Sequence, residues 1–344
     1  MMKLFKFFTQ ELAIDLGTAN TLIIQDGVVV VDEPSIVAVN RTTGETIAVG
    51  NKAMQMHEKT HENIKTIRPL KDGVIADFQA AESMIEGLIN MTGTRKKFFS
   101  HMKMVICIPS GITEVEKRAV FDSADHVDSK ETYLIHEPMA AALGIGLDVE
   151  EPIGNMVIDI GGGTTEIAVI ALSGIVCDQS IRTAGDEFTS DIMNYMKRQH
   201  NILIGERTAE QIKIHVGSAL HELENPPADF AVNGRDLMTG IPKQIFIAYT
   251  EIAHALDKSI GKIEDAVLRA LETTPPELAS DIYQTGLYLT GGGALLRGLD
   301  KRISQKTKLP VHIAEDPLRA VVRGTGIALK NTDTFSFLID RKSV

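Results

Sequence analysis

Two short segments set 144 residues apart carry one pattern. Ala13-Ile14-Asp15-Leu16-Gly17-Thr18 and Val157-Ile158-Asp159-Ile160-Gly161-Gly162 are each an apolar run closed by Asp, an apolar residue and Gly. Each is followed by a second apolar strand (Thr21 to Ile24; Glu166 to Ile170), a turn (Gln25-Asp26-Gly27; Leu172-Ser173-Gly174) and a third strand (Val28 to Val31; Ile175 to Cys177). A chain that repeats such a unit is constrained to two related lobes. Its 344 residues agree, being too many for one ordinary core.

Between and beyond the repeats, strands alternate with helices. The first half continues through Val37 to Val49, a helix from about Asn51, and a helix from Asp77 with Phe78, Ala81, Ile85 and Leu88 at helical spacing. Strand Lys103 to Ile108 follows, then a helix opened by the capping box Thr113 to Glu116, then strand Tyr133 to Ile135 feeding a helix with Pro138 in its first turn. In the second half, a box at Thr208-Ala209-Glu210-Gln211 predicts a helix start. A long helix is predicted from Lys243 to Glu272, ended by Pro275-Pro276, with strand Leu287 to Leu289, a triple glycine and a helix from Ala294 after it. The pattern is that of a doubly wound α/β protein. The expected first domain is 11–148 with 325–344, carrying an inserted subdomain near 32–76. The expected second is 149–324, with an insertion near 187–250.

The repeated loops, Asp15 to Asn20 and Asp159 to Thr165, join a carboxylate at a strand end to glycines and hydroxyls in a tight turn. Gly17, Gly161, Gly162 and Gly163 let backbone N–H groups approach phosphate oxygens, and Asp15 and Asp159 could hold Mg²⁺ through water. Either loop alone reads equally as a plain Asp-x-Gly turn, but the pair favours a clamp on a magnesium-bound nucleoside triphosphate. Neither fits the Walker or dinucleotide fingerprint. Gly291-Gly292-Gly293, between a strand and an expected helix start, is a weaker anion-site signal.

Three further features have a bland and a sharp reading. Glu137 before Pro138 offsets a helix dipole, or else stands by the γ-phosphate and orients the attacking water, with Thr164 assisting. Glu210 and Lys213 share a helical face as an exposed ion pair, or else reach ribose or adenine. His57-Glu58-Lys59-Thr60-His61 matches the zinc-peptidase pattern, yet the segment is strongly polar, and a helix there should fray before His61.

A net charge of −11 argues against a nucleic-acid coat. Cys107 and Cys177 sit in apolar runs and read as free thiols of a reducing, cytoplasmic setting. No stretch reaches the ~20 apolar residues of a spanning helix. The N-terminus, 1–10, nevertheless places Met1, Leu4, Phe5 and Phe8 on one helical face flanked by Lys3 and Lys6, a weak interfacial anchor. Burying each Phe would contribute up to ~1.5–3 kcal/mol, multiplied by avidity in an assembly.

The order of Asp15-Leu16-Gly17-Thr18-Ala19-Asn20-Thr21, His136-Glu137-Pro138-Met139-Ala140-Ala141-Ala142, Asp159-Ile160-Gly161-Gly162-Gly163-Thr164-Thr165-Glu166 and Thr290-Gly291-Gly292-Gly293-Ala294-Leu295-Leu296 resembles the actin/sugar-kinase/heat-shock chaperone superfamily. More narrowly, it is similar to the MreB family of bacterial actins, from about Glu11 to Leu329. The resemblance implies two actin-like (ribonuclease H-like) lobes and an ATPase that polymerises into paired protofilaments beneath the membrane. Hydrolysis would be assisted by Glu137 and Thr164. Thr18, Ala19 and Asn20 with Gly162, Gly163 and Thr164 would contact phosphates. Glu210, Gln211, Ile212 and Lys213 would contact the nucleoside, and Gly291, Gly292, Gly293 and Ala294 the nucleoside and α-phosphate side. Implied partners are further copies of the chain, the anionic inner face of the cell membrane and the membrane-embedded wall-elongation proteins that maintain rod shape. Phe98 and Phe99, beside Arg95, Lys96 and Lys97, would be a second membrane contact. A metabolite kinase or a chaperone-type ATPase on the same fold is the alternative.

Overall fold

In the computed structural model the described residues are 9–93, 101–127, 129–335 and 339–341. They divide into two compact units, one running to Pro152 with Ile170–Ile175 and the residues from Leu318, the other formed by Ile153–Val169 and Val176–Pro317.

The first unit is built on strands β1 (Thr9–Leu16), β2 (Asn20–Gln25), β3 (Val28–Pro34), β4 (His101–Ile108) and β5 (Ser129–His136), with helix α1 (Glu137–Gly144) following β5 directly. With Ile339–Arg341 at one edge they make a six-stranded sheet in the order Ile339–Arg341, β5, β4, β1, β2, β3. β1 and β2 are an antiparallel hairpin, whereas β4 runs parallel to both β1 and β5. Met104, Val105, Ile106, Cys107 and Ile108 are all buried, so β4 is covered on both faces, as a parallel strand under helices must be. Helix Phe78–Met91 buries Ala80, Met84, Ile85 and Leu88 with Leu12, Ile14 and Met104 in one core cluster. Thr113 and Glu116 form the expected capping box, each accepting from the other's backbone N–H.

A small sheet of Val37–Asn40, Thr46–Val49 and Ile64–Ile67 also belongs to this unit, with the short helix Asn51–Met56 beside it. That helix ends at Met56 with His57 as its C-cap, so His57 and His61 do not share a helical face. His57 Nδ1 instead lies 2.8 Å from Thr66 Oγ1. No cluster of three His, Cys, Asp or Glu fit to hold a metal exists among the described residues.

The second unit repeats the plan. Strands β6 (Asn155–Ile160), β7 (Thr165–Ala171), β8 (Gly174–Ile181), β9 (Leu287–Thr290) and β10 (Val311–Ile313) are ordered β8, β7, β6, β9, β10, which is the order β3, β2, β1, β4, β5 of the first unit. Here too the Asp-loop strand pairs in parallel with its neighbour, β6 with β9, and β9 with β10. Helices α2 (Gly185–Gln199) and α3 (Glu206–Val216) pack beside it, and the core cluster includes Ile158, Ile160, Phe188, Ile192, Ile212, Leu256 and Leu289.

Three sequence expectations are corrected in this unit. The helix predicted from Lys243 begins at Tyr249. Pro242–Ile247 is instead a strand paired with Phe230–Asp236, in a hairpin whose turn is held by the Asp236 carboxylate accepting from Met238 N and Thr239 N. The box at Thr208 does not form, because α3 already starts at Glu206 with Gly205 as N-cap. The residues after β9 form a 3₁₀ turn, Gly292–Leu295, and the α-helix starts only at Leu299. Three successive glycines carry too much backbone entropy to open an α-helix.

Candidate functional site

In the first unit the candidate residues gather at the carboxyl ends of the parallel strands β1, β4 and β5, where open α/β sheets place ligands. Asp15, the penultimate residue of β1, lies opposite Cys107 of β4, and Cys107 in turn pairs with Ile135, two residues before Glu137. The Cys107 thiol donates to Asp15 Oδ1 at 3.1 Å. Burial pushes the Asp15 carboxyl up to about 6, with the thiol bond acting weakly the other way. Burial, and then the charges of Asp15 and Glu137, push Cys107 well above the usual thiol range, so it keeps its proton. Glu137 is itself buried, in the first turn of α1 and followed by Pro138.

The loop between β1 and β2 is held from below by one residue. Ser35 donates its hydroxyl to the Gly17 carbonyl at 2.6 Å and its N–H to the Ala19 carbonyl at 2.9 Å, and its Oγ lies 2.9 Å from Thr21 Oγ1. Thr18 is buried and accepts from Gly73 N–H at 2.9 Å. A Cβ on Gly17 would stand 2.6 Å from the Asn20 carbonyl oxygen, so this turn requires glycine. Asn20 opens β2 and is exposed.

The second unit assembles its candidates more fully. Gly161 N–H donates to the Thr164 carbonyl at 2.9 Å, closing the loop that holds Gly162 and Gly163. Buried Asp159 accepts from Thr290 Oγ1 at 2.7 Å. Gly291 has φ 76°, and a Cβ there would meet the Ile160 carbonyl and stand 2.8 Å from Asp159 Oδ1. The glycine run Gly291 to Gly293, with Ala294 buried behind it, therefore lies directly against the Asp159 loop. On the loop's other side, the N-terminus of α2 docks through Gly185 N–H to Gly161 O at 3.1 Å and Asp186 N–H to Gly162 O at 2.8 Å.

Glu210 and Lys213 of α3 complete the cluster. Lys213 Nζ stands 2.7 Å from Glu210 Oε2, 3.0 Å from the Gly185 carbonyl and 3.2 Å from Thr189 Oγ1. Thr189 in turn donates to Glu210 Oε2 at 2.9 Å. The pair is thus wired to the helix that contacts the Asp159 loop. Gln211 and Ile212 share the turn, but Ile212 is wholly buried in the core, and only its backbone could face a ligand.

Sequence reasoning missed Ser35, Cys107, Gly185, Thr189 and Thr290 as parts of these loops' surroundings. Ala184-Gly185-Asp186-Glu187, a glycine and two acids opening a helix ten residues after a phosphate-type loop's third strand begins, was the readable signal for α2. Thr189 follows on the same helix, Ser35 acts from the bend after β3, and Cys107 and Thr290 act from the strands paired with the loop strands, contacts that no local pattern discloses.

A family model described as MreB/Mbl protein matches residues 9–336. The chain belongs to the MreB/Mbl family. It is an actin-like, cell-shape-determining protein. It is 47% identical over 327 residues to the cell shape-determining protein Mbl of Bacillus cereus, covering 95% of this chain and 97% of that one. To the cell shape-determining protein MreB of Escherichia coli it is 47% identical over 339 residues, 97% of each. The crystal structure of MreB 5 of Spiroplasma citri bound to AMPPNP matches with a TM-score of 0.90 at 39% identity, covering 95% of this chain and 97% of that chain. The same protein bound to ADP matches at 0.89 and 38% identity, covering 96% and 98%. A MamK double helical filament shares the fold, with a TM-score of 0.78 at 20% identity over 94% of this chain and 99% of that one.

For this MreB/Mbl chain, Met1, Leu4, Phe5, Phe8, Phe98 and Phe99 lie outside the described residues. Among the described residues no helix is long and apolar enough to cross a membrane.

Proposed function

We propose that this MreB/Mbl chain is an ATPase whose nucleotide state governs its assembly into paired protofilaments on the cytoplasmic face of the cell membrane. The observation that carries the reading is the duplicated loop. Asp15 and Asp159 each stand one residue before the end of the strand that opens a hairpin, and each is paired with a parallel neighbour at the carboxyl edge of a like-ordered sheet. A protein of 39% identity bound to AMPPNP supports the choice of an adenine nucleotide.

Asp15 and Asp159 are hard oxygen donors at strand ends, and no three-ligand cage exists among the described residues. A lone carboxylate of this kind in either loop fits Mg²⁺, which keeps several waters and shares phosphate oxygens instead of filling an all-protein site. Bound there, the ion would neutralise phosphate charge. The backbone N–H groups around Gly17 to Asn20 and Gly161 to Thr164 would cradle phosphates. Gly291 to Ala294 would admit the nucleoside close to the backbone, with Glu210 and Lys213 on ribose or base. Glu137, buried at a helix start, would orient and polarise the attacking water, with Thr164 assisting. Self-association, the anionic membrane contact through the N-terminal and Phe98-Phe99 patches, and service to inner-membrane wall-elongation proteins complete the proposal.

Sedimentation with anionic liposomes tests it. ATP should yield sedimenting filaments visible by electron microscopy, and free phosphate should accumulate. Monomers under every nucleotide condition would overturn the reading, and phosphate appearing on a small acceptor would point to a kinase.

A further inference from the structure

The two loop aspartates are held by one device, used twice. Asp15 of β1 is the register partner of Cys107 on β4, and Asp159 of β6 is the register partner of Thr290 on β9. The strands β4 and β9 hold the same place in their sheets, next to the Asp-loop strand and parallel to it. In both cases the paired side chain donates to the aspartate's Oδ1, the Cys107 thiol at 3.1 Å and the Thr290 hydroxyl at 2.7 Å. Both donors are buried, at 2% and 0% exposure, so water does not compete for them. A buried donor on one carboxylate oxygen restrains how the carboxylate can turn, and with it the direction in which the second oxygen faces.

We propose that Cys107 and Thr290 are equivalent positioning residues, each of which, within its own unit, orients its loop aspartate, Asp15 or Asp159, for contact with the water shell of nucleotide-bound magnesium. The inference rests on the nucleotide reading above. Neither residue is a ligand. Each acts through its aspartate, as outer partners of metal-binding carboxylates do. The two differ in strength, because a thiol is a weak donor and a hydroxyl a good one. The Asp159 side is therefore the more firmly oriented, and the Asp15 carboxylate the more readily turned.

The test uses the full-length protein and the non-hydrolysed analogue AMPPNP, with nucleotide binding followed at equilibrium while free Mg²⁺ is titrated. Cys107→Ala and Thr290→Val remove the donors, and Cys107→Ser and Thr290→Ser keep one. The expected result is that the Ala and Val variants need about tenfold more Mg²⁺ for half-saturation. The Thr290→Val shift should be the larger, and both Ser variants should stay within about twofold of wild type. Thermal melts of the nucleotide-free proteins report folding separately, and the Ser pair keeps the test decisive should an Ala or Val variant not fold: serine variants that lose Mg²⁺ response as badly as a misfolded one overturn the proposal. A wild-type Mg²⁺ requirement in Cys107→Ala and Thr290→Val overturns this inference alone. Wild-type protein that binds AMPPNP without any Mg²⁺ requirement overturns the metal reading of the loops, and this inference with it.

Discussion

A Cβ added to Gly324 would fall inside the carbonyl group of Ala140, and its mirror at Gly144 would fall inside that of Ala320. Helix α1 and the C-terminal helix Ala320–Lys330 therefore touch backbone to backbone within the first unit. Neither main chain can yield locally, so Gly324→Ala must push the helices apart. A loss of about 3 kcal/mol is expected, at the upper end for overpacking, read as a lower urea midpoint. Gly261 provides the control, since a Cβ there meets nothing within 4 Å in the middle of helix Tyr249–Thr273. Gly261→Ala should stabilise by about 0.5–1 kcal/mol. Equal midpoints for the two variants would refute the packing account.

Asp15 makes the nucleotide-free protein sensitive to pH in a defined direction. Its carboxyl is pushed up to about 6 from an ordinary value of 3.8, so the folded state holds the proton more tightly than the unfolded chain. Below about pH 4 the group is neutral in both states and costs nothing. As pH rises from there to about 6 the unfolded chain ionises first, and stability is lost through that window. Relative to Asp15→Asn, whose side chain stays neutral, the wild-type melting midpoint in EDTA should fall between pH 4 and 6 and run parallel above it. A constant difference between the two proteins across pH 4–7 would show that Asp15 is not held in this way.

What could be read from the sequence followed from how chemistry is spaced along the chain. Asp15 to Thr21 and Asp159 to Thr165 are local, so a turn, a carboxylate and glycines within seven residues disclosed both loops and the duplication. Ser35, Cys107 and Thr290 support those loops from 14 to 131 residues away, and although Thr290 opens the glycine-run motif, no local pattern discloses the contact any of the three makes. The hairpin at Phe230–Ile247 was misjudged for a different reason. Lys243, Gln244 and Phe246 are exposed, so the strand has only Ile245 and Ile247 to show an inward face, too few to separate period two from a helical period. Its turn, with Asp236 and Gly240 at φ 74°, was the better signal.

Lys213 ties together three parts of the second unit's site, since its ammonium bonds the Gly185 carbonyl, Thr189 and Glu210. Lys213→Met keeps the stem and removes the charge, leaving Gly185 at the end of α2 without its tether. Bonds to a charged group contribute about 1.5–3 kcal/mol, so nucleotide affinity should drop about ten- to a hundredfold. Lys213→Arg should restore only part of it, because a planar fork cannot place one nitrogen among three partners as an ammonium does. Equilibrium binding of a fluorescent adenine nucleotide gives the comparison, and wild-type affinity in the Met variant would return Lys213 to a plain ion pair.

Glu137 separates the catalytic reading from the structural one. It stands in the first turn of α1, where a negative charge also offsets the helix dipole, so its burial alone does not decide its role. Glu137→Gln keeps size and most hydrogen bonding but loses the charge that would polarise a water. If the group acts on the attacking water, turnover should fall about 10²- to 10⁴-fold with nucleotide affinity held within a few-fold. If it serves only the helix, the cost should be about 0.3–1 kcal/mol of stability with turnover unchanged. Single-turnover phosphate release and a thermal melt on the same preparation place the residue in one class or the other. Filaments that form with ATP but persist, because phosphate is no longer released, would be the assembly-level counterpart of the first outcome.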